Sequence, residues 1–430
     1  MKYLPFIVLI FFTGCLSPIK TFDKLPPGIW RGVFLLDRTP VVKYGDDRDI
    51  VKKFDIDSEV PFNFEVIYDN DSTFHIIIHN DTERIKVTDI KFNRDNTTAK
   101  DTIQISFPVY DTQIKAIYED GVMEGDWIVN YLDNYRIPFK AVHGKSDRFD
   151  WTNQSHLSTV DGKWMCTFGD SIPDQYPAIG IFRQQKDRVA GTFQTETGDY
   201  RYLEGKMLGD KLYLSSFDGA HVFLFTGKVV DDKYISGTFR SGSRYIESWE
   251  AVRDDKASLQ NAYSLTKAVD RQLKFSFMST EGKQVSLDDD AYRDKVKIVQ
   301  IMGTWCPNCM DETIFLKEYV TGKKSDDLAV FSIGFERYKD TVKSIGALVR
   351  FKEKMDIHYP VLYGGYYSKS EASAQLPQLS RISSYPTLII ADRNNQIIAI
   401  HTGFNGPATN EYTAFKEEFD ELIERARNNR

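Results

Sequence analysis

Two cysteines near residue 300 have a spacing that could support redox chemistry. Cys306 and Cys309 lie in "MGTWCPNCMDE" (Met302 to Glu312), between a predicted buried strand and a predicted helix. Residues three apart face each other across the first turn of a helix. The helix amino terminus favours a thiolate at Cys306, and a thiolate is the attacking species in disulfide exchange. Cys309 is placed to resolve the mixed disulfide, so the spacing predicts a redox-active Cys306–Cys309 pair.

The residues around this pair fit the same interpretation. Pro307 is tolerated at a helix start because its missing N–H would have no partner there. Trp305 is predicted to lie beside the sulfurs as an apolar cap. Two alternatives stay open, a structural zinc half-site and a permanent disulfide. Zinc needs further ligands that no nearby cluster offers, and a disulfide closing so small a loop stabilises little. We therefore favour redox cycling and predict no metal site.

The elements that position the pair alternate between strand and helix. After Lys274 the pattern predicts a mainly parallel sheet with helical cover. The predicted strands are Val296–Met302, Leu328–Phe335, and a hairpin of Thr387–Ala391 with Gln396–His401. The predicted helices are Cys306–Val320, Val342–Lys354 and Tyr412–Ala426.

The longer front part of the chain has a different pattern. From Pro26 to Asp254, short alternating runs are broken by Gly, Asp and Asn, which is typical of an all-β sandwich or barrel. A weak repeat pairs "GIWRGVF" with "GKWMCTF", "DTIQISFPVYD" with "DKLYLSSFD", and "MEGDWI" with "ISGTFR". The repeat predicts two related β-units, either two small domains or two halves of one barrel.

The amino terminus reads "MKYLPFIVLIFFTGC". One positive charge, Lys2, precedes an apolar run from Tyr3 to Phe12 that is too short to span a membrane. This resembles a bacterial lipoprotein signal, in which Cys15 would be lipidated; an ordinary secretory signal is the alternative. Both predict export to a compartment where an exposed cysteine pair can form a disulfide.

Composition excludes several classes of protein. The chain has 430 residues, of which 41% are hydrophobic and 27% charged, so it is not a disordered protein. Its net charge of −7 argues against nucleic acid as a partner. Four cysteines are too few for a disulfide scaffold. We interpret Cys166 as a buried inert thiol, and His75 and His79, which lack a third ligand, as ordinary strand residues.

Residues from about 275 to 430 resemble the TlpA/ResA-like thiol–disulfide oxidoreductases of bacterial envelopes, which have a thioredoxin fold. The resemblance rests on "VSLDDDAYRDKVKIVQIMGTWCPNC" and on "ISSYPTLII", about 80 residues beyond the cysteines. Pro386 matches the family's cis-proline, and in the family the backbone at Tyr385 pairs with the substrate chain. The resemblance implies a docking surface made of Trp305, Pro307, Tyr385 and Pro386.

Three positions near the cysteines add to this comparison. The commonest family motif has proline just before the second cysteine, where this chain has Asn308, and such a change alters the redox potential. Gln300 stands where thioredoxins proper carry a buried acid. Glu312 matches the acid that ResA-like proteins keep near the sulfurs, and a partly buried carboxyl there would relay a proton to or from Cys309. The alternative is that Glu312 is an ordinary acid of the first helical turn.

The predicted organisation has five segments. They are a lipoprotein signal (1–14), a first β-rich unit (24–145), a second β-rich unit (155–254), a charged connector with a helical pattern (255–273), and a thioredoxin-like α/β domain (274–430). The joint between the β-units is predicted at 141–160. The segment "HTGFNGPAT" (401–409) either shapes the substrate groove or is a plain loop.

The predicted function is that of a membrane-tethered thiol–disulfide oxidoreductase facing the periplasm, which needs no cofactor. It would reduce disulfides of protein substrates with electrons from a membrane thiol donor. A thiol peroxidase on the same fold is one alternative. A β-barrel lipoprotein that binds a ligand or partner, with an accessory thioredoxin domain, is the other.

Overall fold

The computed structural model describes residues 24–37, 56–150, 157–323 and 326–429. These residues form three sheets, two antiparallel sheets of nine strands and one mixed sheet of seven. None of the helices among them is both long and apolar enough to cross a membrane. The predicted signal (1–14) and the predicted lipid anchor Cys15 lie outside the described residues.

The first β-unit is a single antiparallel sheet. Its hydrogen-bonded order is β4-β3-β2-β1-β9-β8-β7-β6-β5, so the first strand lies between the second and the last. The strands are β1 (Gly28–Leu35), β2 (Glu59–Tyr68), β3 (Phe74–Asn80), β4 (Glu83–Val87), β5 (Ile90–Asp95), β6 (Lys100–Phe107), β7 (Thr112–Glu119), β8 (Val122–Val129) and β9 (Arg136–His143).

The second β-unit has the same connectivity but closes on itself. Its order is β11-β10-β18-β17-β16-β15-β14-β12-β13, and an additional β11–β12 pairing completes a barrel. The strands are β10 (Gly162–Phe168), β11 (Tyr176–Gln185), β12 (Arg188–Thr195), β13 (Gly198–Asp199), β14 (Leu203–Leu208), β15 (Lys211–Phe217), β16 (Val222–Val230), β17 (Tyr234–Ser241) and β18 (Tyr245–Arg253).

The weak sequence repeat corresponds to equivalent strands. The three repeated pairs of segments fall on β1 and β10, β6 and β15, and β8 and β17. β1 pairs with β2 and β9, just as β10 pairs with β11 and β18. Among the described strands of the β-rich region, every pairing joins two strands of the same β-unit. The alternative in which the two units are halves of a single barrel is therefore wrong. The units are two related sheets, one open and one closed.

Aromatic side chains fill the inside of both β-units, as the alternating pattern predicts. In the second unit, Phe193 and Trp249 are fully buried with their ring centroids 5.1 Å apart. Gly237 makes room for this packing, because a Cβ there would lie 2.6 Å from the Trp249 indole. Large aromatic residues bury most of their surface in this way and contribute much of the core energy.

A buried arginine in the joint between the β-units connects them. Arg148 donates to the Ser215 hydroxyl of β15 at 3.2 Å and to the His79 carbonyl of β3. Its guanidinium also forms an ion pair with Glu204 of β14 at 3.3 Å. Because these partners belong to both units, Arg148 fixes one sheet against the other.

The seven-stranded sheet forms the carboxy-terminal domain and confirms the predicted thioredoxin-like α/β fold. Its order is β20-β19-β23-β22-β21-β24-β25, with β21, β22 and β23 parallel. The strands are β19 (Ser276–Ser279), β20 (Gln284–Ser286), β21 (Val296–Met302), β22 (Leu328–Glu336), β23 (Val361–Tyr366), β24 (Thr387–Ala391) and β25 (Ile397–Thr402). The helices are α1 (Pro307–Lys323), α2 (Thr341–Lys354), α3 (Lys369–Gln375) and α4 (Glu411–Asn428).

The helical pattern predicted for the connector is wrong. Within 255–273 the structure has one short 3-10 turn, Ala262–Ser264. The rest runs along the carboxy-terminal domain, where Ala268 bridges Leu379 and Gln272 bridges Gln396. These tertiary backbone pairings override a weak local preference for helix.

Candidate active site

The two cysteines lie where β21 meets α1, as predicted. All seven residues of β21 are buried, and α1 begins at Pro307, directly after Cys306. Cys306 and Cys309 are joined by a disulfide, with their Cα atoms 5.2 Å apart. Cys306 is 7% exposed and Cys309 is fully buried, so Cys306 is the sulfur that a substrate reaches first.

The Cys306 sulfur lies between the helix and the proline loop. The backbone N–H of Cys309 donates to Cys306 Sγ at 3.3 Å. On the other side, Cys306 Sγ lies 3.6 Å from the carbonyl oxygen of Tyr385. The Tyr385–Pro386 peptide bond is cis, as the family resemblance implied. The two sequence signatures therefore meet at one sulfur atom, and the helix N–H can stabilise a thiolate there.

Trp305 lies beside the loop that carries Tyr385, and its predicted role as an apolar cap on the sulfurs stays a prediction. Its indole N–H donates to the Phe335 carbonyl at 3.0 Å, and its ring meets the Tyr385 ring edge-on at 5.4 Å. The Arg337 guanidinium covers the Trp305 ring at 4.6 Å and donates to the Tyr131 hydroxyl at 2.5 Å. Since Tyr131 belongs to the first β-unit, that unit supports the predicted docking surface through Arg337.

Glu312 is buried rather than solvated as an ordinary helix acid would be. It lies one turn after Cys309 on α1, fully shielded from solvent. Neither carboxyl oxygen has a hydrogen-bond partner among the described residues. Burial raises the pKa of Glu312 to about 8, so the carboxyl is mostly protonated at neutral pH. This state suits a proton donor, and the relay role stays a prediction.

Gln300 holds α1 against the sheet. Its amide donates to the Cys309 carbonyl at 3.0 Å. Its side-chain oxygen accepts from the hydroxyls of Thr313 at 3.0 Å and Ser332 at 2.8 Å. The position that carries an acid in thioredoxins proper is thus a neutral anchor here, which leaves Asp311 and Glu312 as the titratable groups closest in sequence to Cys309 on this helix.

Glu336 is a buried acid that sequence reasoning missed. It ends β22 and accepts from the Thr304 N–H at 3.0 Å and the Thr304 hydroxyl at 2.8 Å. Burial raises its pKa to about 7. One signal could have identified it, because the carboxyl ends of neighbouring parallel strands meet at one edge of a sheet. β22 is parallel to β21, so Glu336 had to lie near Thr304.

Contacts from the second β-unit were also missed. The Asn308 amide, between the two cysteines, donates to the Asp199 carbonyl at 3.0 Å and the Phe404 carbonyl at 2.9 Å. Arg201 donates to the Pro307 carbonyl at 3.4 Å. Phe404 belongs to the predicted groove segment 401–409, which therefore does lie beside the cysteines. No local pattern predicts contacts between residues a hundred positions apart.

The weaker sequence signals have structural explanations. Cys166 is fully buried in β10, as predicted, and burial raises the pKa of its thiol to about 12, which disfavours the reactive thiolate. His75 lies 2.9 Å from an Asp69 oxygen, and His79 lies 3.7 Å from Glu65. In the described parts of the chain, no three His, Cys, Asp or Glu side chains are grouped to hold a metal ion.

One family model matches the part of the chain that contains this site. Residues 267–415 match the Redoxin family model. Among solved structures, the domain is similar to a DsbF homologue from Corynebacterium diphtheriae (22% identity, 36% of this chain and 92% of that chain, TM-score 0.29). It is also similar to a thiol-disulfide oxidoreductase from Bacteroides fragilis (20%, 36% and 99%, 0.26) and a secreted thiol-disulfide isomerase from Corynebacterium glutamicum (18%, 37% and 93%, 0.29).

No curated protein matches the chain. The Redoxin match begins inside the segment predicted as a connector and ends within α4. It covers both the cysteine pair and the cis-proline loop. The carboxy-terminal third of the chain thus carries a Redoxin domain, whose CxxC-spaced cysteine pair supports thiol–disulfide oxidoreductase chemistry.

Proposed function

We propose that this protein is an extracytoplasmic, membrane-tethered thiol–disulfide oxidoreductase that reduces disulfides of protein substrates. The observation that carries the proposal is the position of Cys306 Sγ, between the Cys309 N–H and the Tyr385 carbonyl. A substrate chain pairing with the backbone at Tyr385 would bring its own disulfide to the more exposed of the two sulfurs.

The exchange has two steps. In the reduced protein, the Cys306 thiolate attacks one sulfur of the substrate disulfide, forming a mixed disulfide and releasing the first substrate thiolate. The Cys309 thiolate then attacks Cys306 Sγ, which forms the Cys306–Cys309 disulfide and releases the second substrate thiolate. Two electrons pass from the cysteine pair to the substrate, and the two protons lost by the pair go to the substrate thiols.

Glu312 is suited to the proton movements of the second step. Cys309 is fully buried, so it must lose its proton to a nearby group before it can attack. Glu312 lies one helical turn away and is itself shielded from water. Because burial raises its pKa to about 8, only the ionised fraction of Glu312 accepts this proton. In the reverse direction, when the Cys306–Cys309 disulfide is reduced, the protonated carboxyl donates a proton to the Cys309 thiolate.

The direction of electron flow is argued from the charges near the sulfurs. Asp311 and Glu312 lie two and three residues after Cys309, Glu336 binds Thr304, and all three acids are buried. Burial leaves Glu312 mostly neutral at pH 7, but Asp311 and Glu336, whose pKa values burial raises to about 7, are partly ionised, and their negative charge disfavours a thiolate. Strongly oxidising proteins of this kind instead stabilise their reduced form. This environment therefore favours a reductant over an oxidant.

The proposed location follows from the amino-terminal sequence. The short apolar run before Cys15 predicts export and lipidation at that cysteine. The periplasm lacks the thioredoxin pool of the cytosol. We therefore infer that a membrane thiol donor returns two electrons to the Cys306–Cys309 disulfide after each cycle.

Insulin reduction tests the proposal. The protein is reduced and freed of excess reductant, and its reaction with insulin disulfides is compared with that of Cys306→Ser. We expect about one insulin disulfide reduced per wild-type molecule and only background for the variant. Equal, background-level reaction by both proteins would contradict the proposal. Hydrogen peroxide consumption by the wild type, without insulin reduction, would instead support the thiol peroxidase alternative.

A further inference from the structure

One buried arginine connects all three parts of the protein. Arg201, just after β13 of the second β-unit, pairs with Glu83 of β4 in the first unit. It also pairs with Asp311 of α1, at 3.2 Å. Arg201 and both carboxylate side chains are largely buried. Three ionic groups from three parts of the fold thus meet at the helix that carries the cysteines.

Arg201 also contacts Pro307, which lies between Cys306 and Asn308. Its guanidinium donates to the Pro307 carbonyl at 3.4 Å. Its backbone N–H donates to the Asp199 carboxylate at 2.8 Å, and the other Asp199 oxygen accepts from the Gly406 N–H at 2.7 Å. The loop that carries Arg201 is therefore fixed to the first turn of α1 and to the 401–409 segment.

Arg201 is outnumbered by acids. Besides Glu83 and Asp311, the carboxylates of Asp199 and Asp218 and the Tyr110 hydroxyl act on it. Asp218 is itself paired with His221 at 3.3 Å. Burial raises the pKa of Asp311 to about 7, and Arg201 opposes that rise. A buried charge is tolerated only when it is paired, so Arg201 balances the negative charge next to the active-site helix.

We propose that Arg201 is a positioning residue of the active site, which stabilises the Cys306 thiolate by fixing the first turn of α1 and by neutralising Asp311. This inference rests on the proposed function, since it concerns the same cysteine pair. It gives the second β-unit a role in setting the redox properties of a domain that contains both reacting sulfurs.

The first test replaces the cation. In Arg201→Gln, the positive charge is lost and the acids near α1 are left unpaired, and both changes disfavour a thiolate. We expect the pKa of Cys306 to rise by about one unit, from a Coulomb interaction over several ångströms. We expect the equilibrium with glutathione to shift about tenfold towards the oxidised protein, which corresponds to about 30 mV.

The second test removes a negative charge near the cysteines, whereas the first removes a positive one. Asp311→Asn removes the anion and leaves Arg201 paired with Glu83, so the pKa of Cys306 is expected to fall. Arg201→Lys keeps the charge but loses the forked geometry, so we expect a value between the wild type and Arg201→Gln. Alkylation rates of the reduced proteins as a function of pH give the Cys306 pKa, because the buried Cys309 reacts slowly.

A matched control separates the effect of Arg201 on the cysteines from a general effect of ion pairs that join a β-unit to the carboxy-terminal domain. Asp89 in the first β-unit forms an ion pair with Lys354 of α2 at 2.6 Å. This pair also joins a β-unit to the carboxy-terminal domain, but it has no contact with residues 305–312 in the hydrogen bonds and ion pairs of the described residues. Asp89→Asn should therefore leave the pKa of Cys306 and the glutathione equilibrium unchanged.

The outcomes are distinguishable. Opposite shifts for Arg201→Gln and Asp311→Asn, with none for Asp89→Asn, support the proposal. Unchanged values in the Arg201 variants, or equal shifts in all variants including Asp89→Asn, would overturn it. If Arg201→Gln fails to fold, Asp311→Asn and Arg201→Lys decide by the same criteria. Neither readout needs a protein substrate, so a wild type that fails to reduce insulin contradicts the proposed function without affecting this test.

Discussion

The carboxy-terminal domain and the two β-units contribute different kinds of residues to the candidate active site. The domain holds both reacting sulfurs, the buried acid Glu312 and the cis-proline loop. The β-units hold Cys166, a buried thiol whose pKa burial raises to about 12. Yet Asp199 and Arg201 of the second unit contact the residues between the two cysteines. A region that holds neither of the two reacting sulfurs can thus contribute to an active site by holding it in place.

The two β-units also differ from each other. The second unit closes into a barrel because β12 pairs with β14, whereas the equivalent strands of the first unit, β3 and β5, do not pair. The second unit also contacts the active-site helix directly. The first unit stays an open sheet and contacts the site through Tyr131 and Glu83, which act by way of Arg337 and Arg201. Related strands with the same connectivity have thus acquired different positions at one site.

The largest expected effect comes from the sulfurs themselves. Cys309→Ser removes the resolving thiol, so a mixed disulfide at Cys306 cannot be released internally. We expect turnover to fall to background and a covalent Cys306–substrate complex to accumulate, visible by nonreducing electrophoresis. If Cys309→Ser turned over like the wild type, Cys309 would not be the resolving residue. The identity of the trapped partner would name the substrate.

The next effect tests how far the barrel depends on its aromatic core. The Phe193 ring lies 4.7 Å from the Phe225 ring and 5.1 Å from Trp249, all fully buried. Phe193→Ala should lower the free energy of unfolding by about 3–5 kcal/mol, from lost burial and the cavity left behind. Urea denaturation followed by circular dichroism measures this. A loss below about 1 kcal/mol would show that the barrel core is loosely packed.

Glu312 predicts a dependence of stability on pH. Its pKa is raised to about 8 in the folded state, so the folded protein keeps a proton that the unfolded chain loses above about pH 4.5. This contribution is fully present below pH 4.5 and is lost as the pH rises to 8. Glu312→Gln lacks the ionisable group and so escapes this loss.

We therefore expect the stability of Glu312→Gln relative to the wild type to increase from pH 5 to pH 8, by on the order of 3 kcal/mol. Urea denaturation at both pH values measures the difference. If the stability of Glu312→Gln relative to the wild type decreased or did not change over this range, Glu312 would be ionised in the folded protein. Glu281→Gln is a useful control. Although burial acts to raise its pKa, hydrogen bonds from Lys352 and Thr280 lower the pKa of Glu281 to about 2, so this carboxyl stays ionised from pH 5 to pH 8.

The smallest effect tests the contact of the first unit with Trp305. Tyr131→Phe keeps the ring under the Arg337 guanidinium but removes the hydroxyl that accepts from it. A single hydrogen bond to a charged group is worth about 1.5–3 kcal/mol at most, and Arg337 still covers Trp305. We expect a two- to threefold rise in KM for insulin with kcat unchanged, measured by steady-state turnover. An unchanged KM would show that Arg337 holds its position without the first unit.

The parts of the fold that local pattern determines could be predicted. β21 and β24 have the predicted bounds, because short, mainly apolar runs mark buried strands. The CxxC spacing and the Tyr385–Pro386 signature identified the two segments that meet at Cys306. The repeat identified strand equivalence between the β-units, although not that one would close and the other would not.

The remaining contacts depend on tertiary structure. Arg201 meets Asp311 across more than a hundred residues, and only the docking of the second β-unit brings them together. The charge pattern of the connector predicted a helix, but its backbone instead forms hydrogen-bonded bridges to the carboxy-terminal domain, which stabilise an extended conformation. Charged residues give no sign in the sequence of whether they will be solvated or buried and paired, which is why this cluster could not be predicted.

The reduction potential of the Cys306–Cys309 couple tests the central claim most directly. The wild-type protein is equilibrated with glutathione redox buffers, and its thiols are counted by alkylation and electrophoresis. A protein that reduces disulfides should have a potential near that of thioredoxin, about −270 mV, or in any case below about −200 mV. A potential near −120 mV, as in strong disulfide oxidants, would contradict the proposal that the buried acids around these sulfurs make the protein a reductant.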